Sequence, residues 1–391
     1  MNPARARNIG DLRAAAQRRL PRVVFDYLEG GAEDHVSARA NRESFEALGF
    51  APRTLVDVSQ RSLQTTVLGS RFDAPFGVSP IGAAGLFWRE AEVAMARAAR
   101  AARIPLVLST HSFVPLERVA WESGGPPWFQ LYMPSDREAA AALVKRAHDT
   151  GCEVLVLTTD VPVGGNREYN DRNGFGVPLR LGMRAIADVL AHPRWLAGVY
   201  FRSLYRRALP HWTDRRDRAD WEAFAWLRRQ WPRKLVVKGI LTVEDARLAV
   251  EHGADGICIS NHGGRQLDGA PAPLAVLPEI AAAVGSQTTI LLDGGVRRGS
   301  DIVKAIALGA DLVLVGRAAL YGVAAAGERG VQRALQILRT EVDRVFALIG
   351  CRSVEELGRH FLQNRTRPAA MSVRLHRHES PAGNAGVGRA G

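Results

Sequence analysis

A histidine, an aspartate and two arginines stand where a chain could carry out acid–base chemistry on an anionic molecule. His262 is followed by two glycines and then by Arg265, and Asp160 precedes Arg167 by seven residues. A histidine accepts a proton near neutral pH, and a carboxylate beside it would orient the ring and increase its affinity for the proton. An arginine binds a carboxylate through two parallel N–H donors. The pattern predicts a general base next to one anion that is held by two arginines.

Lys238 and two segments rich in glycine and arginine indicate further negative charge. Lys238 ends a hydrophobic segment, where an ammonium group is costly unless it meets an anion. It could form a Schiff base or stabilise an anion on a cofactor, and the lack of a phosphate-sugar aldolase pattern favours the cofactor. Residues 293–299 and 316–317 combine arginines with glycines whose N–H groups can face a phosphate. Since no separate strand–GxGxxG–helix unit is present, we expect a phosphorylated cofactor or substrate without a dinucleotide domain.

Eight short apolar runs, rich in Val, Ile and Leu, could position these residues as strands buried on both faces. The runs cover residues 75–82, 104–110, 128–132, 154–160, 235–239, 256–261, 290–295 and 312–316. Alanine-rich helical patterns lie between most of them, and Gly151, Gly253 and Gly309 stand where helices end in a left-handed cap. The alternation predicts an α/β fold, a (β/α)8 TIM barrel.

The candidate residues stand at one end of these runs. The strand ends carry Gly82, Ser109, Gln130, Tyr132, Thr158, Asp160, Lys238, His262, Asp293 and Arg317. In a TIM barrel the chemistry lies at the C-terminal ends of the strands, so the common register predicts one pocket. Tyr27, at the end of an early helical stretch, is a further hydroxyl candidate above that pocket.

Three segments lie outside the strand–helix repeat. Residues 1–70 predict an N-terminal extension with helices over about 10–27 and 36–48. The barrel follows over 71–366, and its last strand is followed by predicted helices over 330–349 and 353–358. Gly82 and Ser109 are 27 residues apart, whereas Asp160 and Lys238 are 78 apart, so the loop after the fourth strand carries an insertion, about 168–222. Residues 367–391 lack periodicity and predict a disordered tail.

Composition excludes several classes of protein. The 391 residues carry a formal charge of +12 and 47% hydrophobic residues, which is typical of a globular protein. Three cysteines without metal-like spacing argue against a disulfide framework and a zinc site, and no metal is expected. No secretory signal or membrane-spanning run is found, so we expect a cytoplasmic protein. The pI near 10.4 fits an anionic substrate or membrane surface better than nucleic acid, because no nucleic-acid-binding signature is present.

Long motifs in the chain resemble those of one known family. They are Asp26-Tyr27 with residues 31–34, residues 129–132, residues 260–268 and residues 293–299. From about residue 11 to residue 364 the chain resembles the FMN-dependent 2-hydroxy-acid dehydrogenases and oxidases. Residues 28–31 and 53–59 resemble the (S)-mandelate dehydrogenase members most, and residues 160–168 resemble the bacterial L-lactate dehydrogenases.

The resemblance implies a role for each catalytic and substrate-binding candidate. His262 would be the base, paired with Asp160. Arg167 and Arg265 would hold the substrate carboxylate, assisted by Tyr27, while Tyr132 would bond the hydroxyl side of the substrate. Lys238 would stabilise the reduced flavin anion at its N1–O2 edge.

The resemblance also implies a set of FMN contacts. Pro80, Ile81 and Gly82 would run along the N5 side of the flavin, and Ser109, Gln130 and Thr158 would bond the isoalloxazine ring. Asp293, Gly295, Arg297, Gly316 and Arg317 would hold the ribityl phosphate, and Ser260 is a further cofactor contact.

Two positions depart from parts of the family. Gly82 stands where many oxidases carry alanine, and His111 stands where glycolate oxidase has a bulky tryptophan. His111 would therefore line a roomier pocket and contact a larger side chain. Both departures argue against a short-chain glycolate oxidase.

The insertion bears on the electron acceptor. Residues 180–207 hold six arginines and one acidic residue, with apolar Met183, Ile186 and Leu190 at helical spacing, and Trp195, Tyr200, Phe201 and Tyr205 lie among the arginines. This pattern is typical of a peripheral membrane contact at the inner face of the membrane, made through about 177–210. It is equally typical of a lid helix that packs on the barrel. A membrane contact favours quinone as the acceptor, and its absence favours O2 or a soluble carrier.

We therefore expect an enzyme that oxidises a lactate- or mandelate-like L-2-hydroxy acid to the 2-oxo acid with FMN. Removal of a proton from C2 or from the hydroxyl by His262 would give a carbanion route or a hydride route, and both stay open. The alternatives are an oxidase that forms H2O2, another FMN barrel enzyme such as an isomerase, and a non-catalytic basic scaffold. By analogy with the family the chain would form a homo-oligomer, a tetramer.

Overall fold

Eight parallel strands form the barrel that the sequence predicts. The computed structural model describes residues 2–174, 182–204 and 219–365. Three short strands precede the barrel: β1 (Leu48–Phe50), β2 (Thr65–Val67) and β3 (Ser70–Phe72). The barrel strands are β4 (Phe76–Val78), β5 (Val107–Ser109), β6 (Trp128–Tyr132), β7 (Val154–Thr158), β8 (Lys234–Ile240), β9 (Gly256–Ile259), β10 (Thr289–Asp293) and β11 (Leu312–Val315).

The register of the barrel brings the strand ends to one edge. The order is β4-β11-β10-β9-β8-β7-β6-β5, every neighbouring pair is parallel, and a bridge between Val78 and Leu106 joins the first and last strands. Thr158 is level with Lys238 and with Tyr132 on its two sides. Most strand residues are buried on both faces, because helices cover the outside of the barrel.

The interior at the other end of the barrel is closed by apolar packing. Val67, from the hairpin of β2 and β3, packs with Val107, Val156 and Leu291 inside the barrel. The chemistry is therefore confined to the end where the strands finish.

Helices alternate with the strands as expected. They are α1 (Ile9–Arg19), α2 (Arg22–Glu29), α3 (Val36–Glu46), α4 (Ala91–Ala101), α5 (Leu116–Ser123), α6 (Arg137–Asp149), α7 (Glu168–Arg172), α8 (Met183–Leu190), α9 (Pro193–Trp195), α10 (Trp221–Gln230), α11 (Val243–Glu251), α12 (Pro273–Val284), α13 (Gly299–Ala307) and α14 (Arg317–Ile349). A short strand β12 (Leu362–Asn364) pairs with β1. The glycines expected to cap helices, Gly151, Gly253 and Gly309, all have positive φ.

Two helix predictions need correction, and a third is confirmed. The single helix expected over 10–27 is two helices, because Pro21 supplies no N–H and cannot continue α1. The helix expected over 330–349 is confirmed: it is the second part of α14, which non-helical backbone at Ala326 and Gly327 divides from a first part that begins at Arg317. Residues 353–358 form a turn, not a helix, since a single turn fixes several residues for one hydrogen bond.

The insertion contains short helices. α7, α8 and α9 are followed by a π-helical segment, Leu196–Leu204. Met183, Ile186 and Leu190 are exposed on α8, but Trp195 is 2% exposed and its indole donates to the carbonyl of Leu86. Trp195 thus packs inward on the barrel, as the lid alternative implies for this residue. Tyr205, Arg206, Arg207 and the tail 367–391 lie outside the described residues.

Within the described residues, no helix is long and apolar enough to cross a membrane.

Candidate active site

A cavity of about 300 Å³ opens at the C-terminal ends of the strands. It is lined by most of the residues that the sequence singles out: Tyr27, Pro80, Ile81, Gly82, His111, Tyr132, Thr158, Arg167, Lys238, His262, Arg265, Asp293, Gly295, Arg297, Gly316 and Arg317. These residues come from the N-terminal extension and from loops after almost every barrel strand. Only closure of the barrel could bring them together.

Four predicted residues lie directly behind the cavity lining. Ser109 donates to Gln130 Oε1 at 2.9 Å, and both residues are buried. Ser260 accepts from Lys238 Nζ at 2.7 Å and from the backbone N–H of His262 at 3.0 Å. Asp160 lies behind the His262 ring. Through these contacts Ser260 holds Lys238 and the backbone of His262, and Asp160 holds the His262 ring.

The histidine is oriented by the aspartate, as expected. His262 Nδ1 and Asp160 Oδ1 are 3.0 Å apart. Burial lowers the pKa of His262, although Asp160 acts to raise it, and the charges of Lys238 and Arg167 add to the lowering. The pKa of Asp160 is also lowered, because the positive charges of His262 and Lys238 outweigh the effect of burial. A neutral imidazole beside an ionised carboxylate is the form in which a histidine can accept a proton.

Lys238 is a buried cation paired with a carboxylate. Its side chain is 3% exposed, and Nζ lies 3.1 Å from Asp293 Oδ2. Ser79, which the sequence reading missed, donates to the same Oδ2 at 2.9 Å. Burial acts to lower the pKa of Lys238, but the carboxylates of Asp293 and Asp160 outweigh it and raise the pKa. A protonated amine is not nucleophilic, so this environment disfavours the Schiff-base alternative.

Arg167 and Arg265 lie side by side at the cavity. Arg167 donates to the carbonyl of Arg265 at 3.1 Å and to Gln266 Oε1 at 2.9 Å. Arg265 donates to the carbonyl of Gly30 at 2.7 Å, and its guanidinium lies 5.1 Å from the ring centre of Tyr27. Burial, with the neighbouring charges of Arg167 and Arg317, lowers the pKa of Arg265 to about 9.

Arg317 and Arg297 extend this cluster of cations. Arg317 donates to the carbonyls of Gly263 and Gly30, each at 3.0 Å, and burial together with Arg297 lowers its pKa to about 10. Arg297 lies 5.6 Å from the ring centre of Tyr321. Within the described residues, none of the four cavity arginines forms an ion pair with a carboxylate, so the cavity favours anions.

Four buried polar atoms, in the cavity lining or directly behind it, have no hydrogen-bond partner among the described residues. They are Gln130 Nε2, Thr158 Oγ1, Asp160 Oδ2 and Asp293 Oδ1. Buried polar groups in folded proteins are almost always hydrogen-bonded, so such a concentration indicates a polar ligand. Among the described residues no cluster of three or more metal-ligating side chains occurs.

One wall of the cavity is aromatic. His111 and Tyr132 stack with ring centres 4.8 Å apart, and a methyl group built on Gly82 would lie 3.2 Å from His111 Cβ. Phe87 also lines the cavity and stacks on Tyr27. Phe87 lies beyond its strand end and could not have been found from the sequence, whereas Ser79 directly follows β4 and fits the strand-end rule.

Comparisons with known proteins agree on one family. The family model described as FMN-dependent dehydrogenase matches residues 16–364. The (S)-mandelate dehydrogenase of Pseudomonas putida is 45% identical over 371 residues, with 91% of this chain and 94% of the relative covered. The L-lactate oxidase of Nostoc sp. is 42% identical over 366 residues, covering 91% and 97%. The L-lactate dehydrogenase of Chromohalobacter salexigens is 40% identical over 365 residues, covering 89% and 93%.

A solved structure agrees in fold as well as in sequence. The crystal structure of the monotopic membrane protein (S)-mandelate dehydrogenase matches with a TM-score of 0.88 and 44% identity. It covers 92% of this chain and 100% of that one.

Proposed function

Since the chain belongs to the FMN-dependent dehydrogenase family, we propose how its residues carry out the reaction of that family. The chain is a flavoprotein that oxidises a 2-hydroxy acid, and its relatives include both dehydrogenases and oxidases. The observation that carries the proposal is the pairing of His262 with Asp160 in the same cavity as Arg167 and Arg265.

The residues of the cavity fit FMN. Gln130 Nε2 and Thr158 Oγ1 are unpartnered polar atoms that suit the heteroatom edges of a flavin ring, with Ser109 holding Gln130 in place. Lys238 would face the N1–O2 edge, where its fixed positive charge stabilises an anion. Pro80, Ile81 and Gly82 would lie along the N5 side.

The phosphate of FMN would lie against Arg297, Arg317, Gly295 and Gly316. Gly295 has φ of +83° and lets the backbone come close to a phosphate. Asp293 fits this group less well than expected, since a carboxylate paired with Lys238 would repel a phosphate. We assign its unpartnered Oδ1 to a ribityl hydroxyl instead.

The substrate carboxylate would bind between Arg167 and Arg265, with Tyr27 assisting through its hydroxyl. Tyr132 would bond the hydroxyl of the substrate. His262 then removes one proton at Nε2, because Nδ1 is engaged by Asp160, and the carboxylate stabilises the imidazolium that forms. When bound, FMN supplies the acceptor for the two electrons that leave the substrate. Both the carbanion and the hydride route use the same base.

The pocket suits a hydroxy acid with a side chain at least as large as that of lactate. Gly82 leaves space beside His111, and Phe87 adds an apolar contact. We propose a lactate- or mandelate-like L-2-hydroxy acid as the substrate. Anaerobic bleaching of the flavin by L-lactate and by (S)-mandelate, measured side by side, tests this. Bleaching by neither acid in a yellow protein would reject both substrates.

The role of His262 is tested by its removal. His262→Ala should keep FMN bound but slow anaerobic flavin reduction by roughly 10²- to 10⁴-fold. His252→Ala is the matched control, because His252 lies on the outside of the barrel at the end of α11. Flavin reduction at an unchanged rate in His262→Ala would exclude His262 as the base.

We further propose that the exposed face of α8 contacts a membrane surface and that electrons pass to quinone there. Met183 and Leu190 are 88% and 62% exposed, and Phe201 in the following segment is 57% exposed. A Met183→Glu/Leu190→Glu variant should lose co-flotation with anionic vesicles while keeping flavin reduction. Equal co-flotation of the variant and the unaltered protein would contradict the membrane contact. Rapid formation of H2O2 by the unaltered enzyme in air would favour the oxidase alternative.

We also propose a homo-oligomer, a tetramer by analogy. Sedimentation of the holoenzyme measures the oligomeric state, and a monomer would contradict the proposal.

A further inference from the structure

The turn that carries His262 has an unusual backbone. His262 has φ of +57°, and the next two residues, Gly263 and Gly264, have φ of +68° and +73°. Glycine adopts this left-handed region freely, but a histidine does so at a cost. A strained conformation persists only when neighbouring groups hold it in place. The groups that hold this turn therefore determine where the imidazole lies.

Asn261 is the residue that closes the turn. The backbone N–H of Gly264 lies 3.0 Å from the Asn261 carbonyl and 3.1 Å from Asn261 Oδ1, so it donates to both. Asn261 Nδ2 donates to the carbonyl of Pro271 at 3.1 Å, on the far side of the same loop. The side chain is thus a brace between the two ends of the His262 loop.

Asn41 of α3 holds the amide of Asn261 in the orientation that this brace requires. Asn41 Nδ2 donates to Asn261 Oδ1, and Asn261 Nδ2 donates to Asn41 Oδ1, both at 2.8 Å. The two side chains are 1% and 4% exposed. Both acceptor sites and both donors of the Asn261 amide are therefore used, which leaves it a single orientation.

The pair lies beside the glycines of the β10 loop. A methyl group built on Gly294 would be 3.4 Å from Asn41 Nδ2, and one built on Gly295 would be 2.4 Å from the Asn41 carbonyl. The N-terminal extension is therefore packed directly against the loops of the site. Asn41 links that extension to the turn of the base through two hydrogen bonds.

We infer that Asn41 and Asn261 are positioning residues for the reaction: their reciprocal amide pair keeps the left-handed turn formed and so aims the His262 ring into the cavity. The inference rests on the proposed role of His262 as the base. An apolar pair could fill the same space, but it would leave the Gly264 N–H with one acceptor fewer and the turn without its brace.

The test uses the FMN-loaded enzyme and whichever of L-lactate and (S)-mandelate reduces it. Asn261→Ala should slow flavin reduction at saturating substrate by roughly 100-fold, since a catalytic group displaced by about 1 Å costs that much. Asn41→Ala should give a smaller loss, of about 10-fold. Substrate affinity should stay within about threefold, because contacts outside the amide pair hold the arginine end of the loop: Arg265 stays bonded to the Gly30 carbonyl and close to the Tyr27 ring, and the Gly264 carbonyl still accepts from the Ala32 N–H.

A double variant separates positioning from general damage. If both residues act through one pair, Asn41→Ala/Asn261→Ala should be no slower than Asn261→Ala alone. Hydrogen–deuterium exchange of the peptide covering 260–270 supplies a readout apart from activity, and it should accelerate in Asn41→Ala. Multiplicative losses in the double variant would contradict the inference.

Ser37→Ala is the matched control. Ser37 lies one turn earlier on the same helix, is fully buried, and donates to the carbonyl of Ala270 at 2.9 Å without touching the turn. It should leave flavin reduction within about twofold of the unaltered enzyme. An equal loss in Ser37→Ala would show that docking of α3 in general, and not the amide pair, is what matters.

Two outcomes keep the inference apart from the proposed function. Retained reduction in His262→Ala would reject the base itself. Loss in His262→Ala together with a normal rate in Asn41→Ala would reject only the positioning role. If Asn261→Ala fails to fold, Asn41→Asp, which keeps the acceptor but loses the donor, still reports on the pair, and an unchanged rate there would overturn the inference.

Discussion

Replacing Asp160 by asparagine tests the geometry of the base most directly. Asp160 Oδ1 lies 3.0 Å from His262 Nδ1, so the carboxylate requires a hydrogen on Nδ1 and leaves Nε2 free to accept a proton. An asparagine amide could donate to Nδ1 instead. That would favour the tautomer with its hydrogen on Nε2, in which His262 cannot act as a base toward the cavity.

The size of the effect follows from the distance. Two unit charges 3.0 Å apart interact by about 5 kcal/mol at an effective dielectric constant of about 20. Because each 1.36 kcal/mol is a factor of ten in rate, losing this stabilisation of the imidazolium corresponds to roughly 10⁴-fold. The same substitution in a Ser-His-Asp triad costs about as much.

Anaerobic stopped-flow reduction of the flavin measures this loss without interference from the electron acceptor. Asp293→Asn is the matched control, since Asp293 is a similarly buried carboxylate beside Lys238 that does not touch His262. It should weaken FMN binding more than it slows reduction. A loss of less than about tenfold in FMN-loaded Asp160→Asn would refute the reasoning that Asp160 sets the state of the base.

Three further predictions concern the pocket, the phosphate and the pH profile. Gly82→Ala should lower the rate of flavin reduction by (S)-mandelate, relative to the rate with L-lactate, by about 10-fold, because the new methyl group would lie 3.2 Å from His111 Cβ. Gly198→Ala is the control: Gly198 has open space around it, so this substitution should leave the ratio of the two rates unchanged. Arg317→Ala should raise the dissociation constant of FMN by about 10-fold or more. Arg333→Ala is the control, because Arg333 also lies on α14 but bonds the Ala6 carbonyl and Gln336 and does not line the cavity. Full flavin retention in Arg317→Ala would remove Arg317 from the phosphate site. Since the pKa of His262 is lowered, kcat/KM should rise with pH below about 6.5 and level off above it, and a rise centred above 6.5 would contradict a neutral base.

Local patterns predicted most of the fold. The eight apolar runs are the eight barrel strands, because a strand buried on both faces needs an uninterrupted apolar run. The helix errors share one cause. Periodicity locates apolar faces, but chain breaks depend on single residues, such as Pro21, and on neighbours that are distant in sequence.

Surface predictions depended more on tertiary contacts. The composition of the insertion left open whether Trp195 faces a membrane surface or packs on the barrel, and the structure shows that its indole bonds the Leu86 carbonyl across more than a hundred residues of chain. Phe87 likewise enters the cavity only because its loop folds back toward Tyr27.

The sequence by itself determined which chemical groups stand at the strand ends, because the register of a parallel barrel is set by local apolar pattern. Only the tertiary structure decided the contacts and the protonation states of these groups. It placed Asp160 against Nδ1 of His262, paired Asp293 with Lys238, and surrounded the arginines with backbone carbonyls rather than carboxylates. It also brought Asn41 of the extension to Asn261, a contact between residues 220 positions apart. Proton affinities and side-chain orientations depend on burial and on neighbours within a few ångströms, and these exist only once the chain has closed.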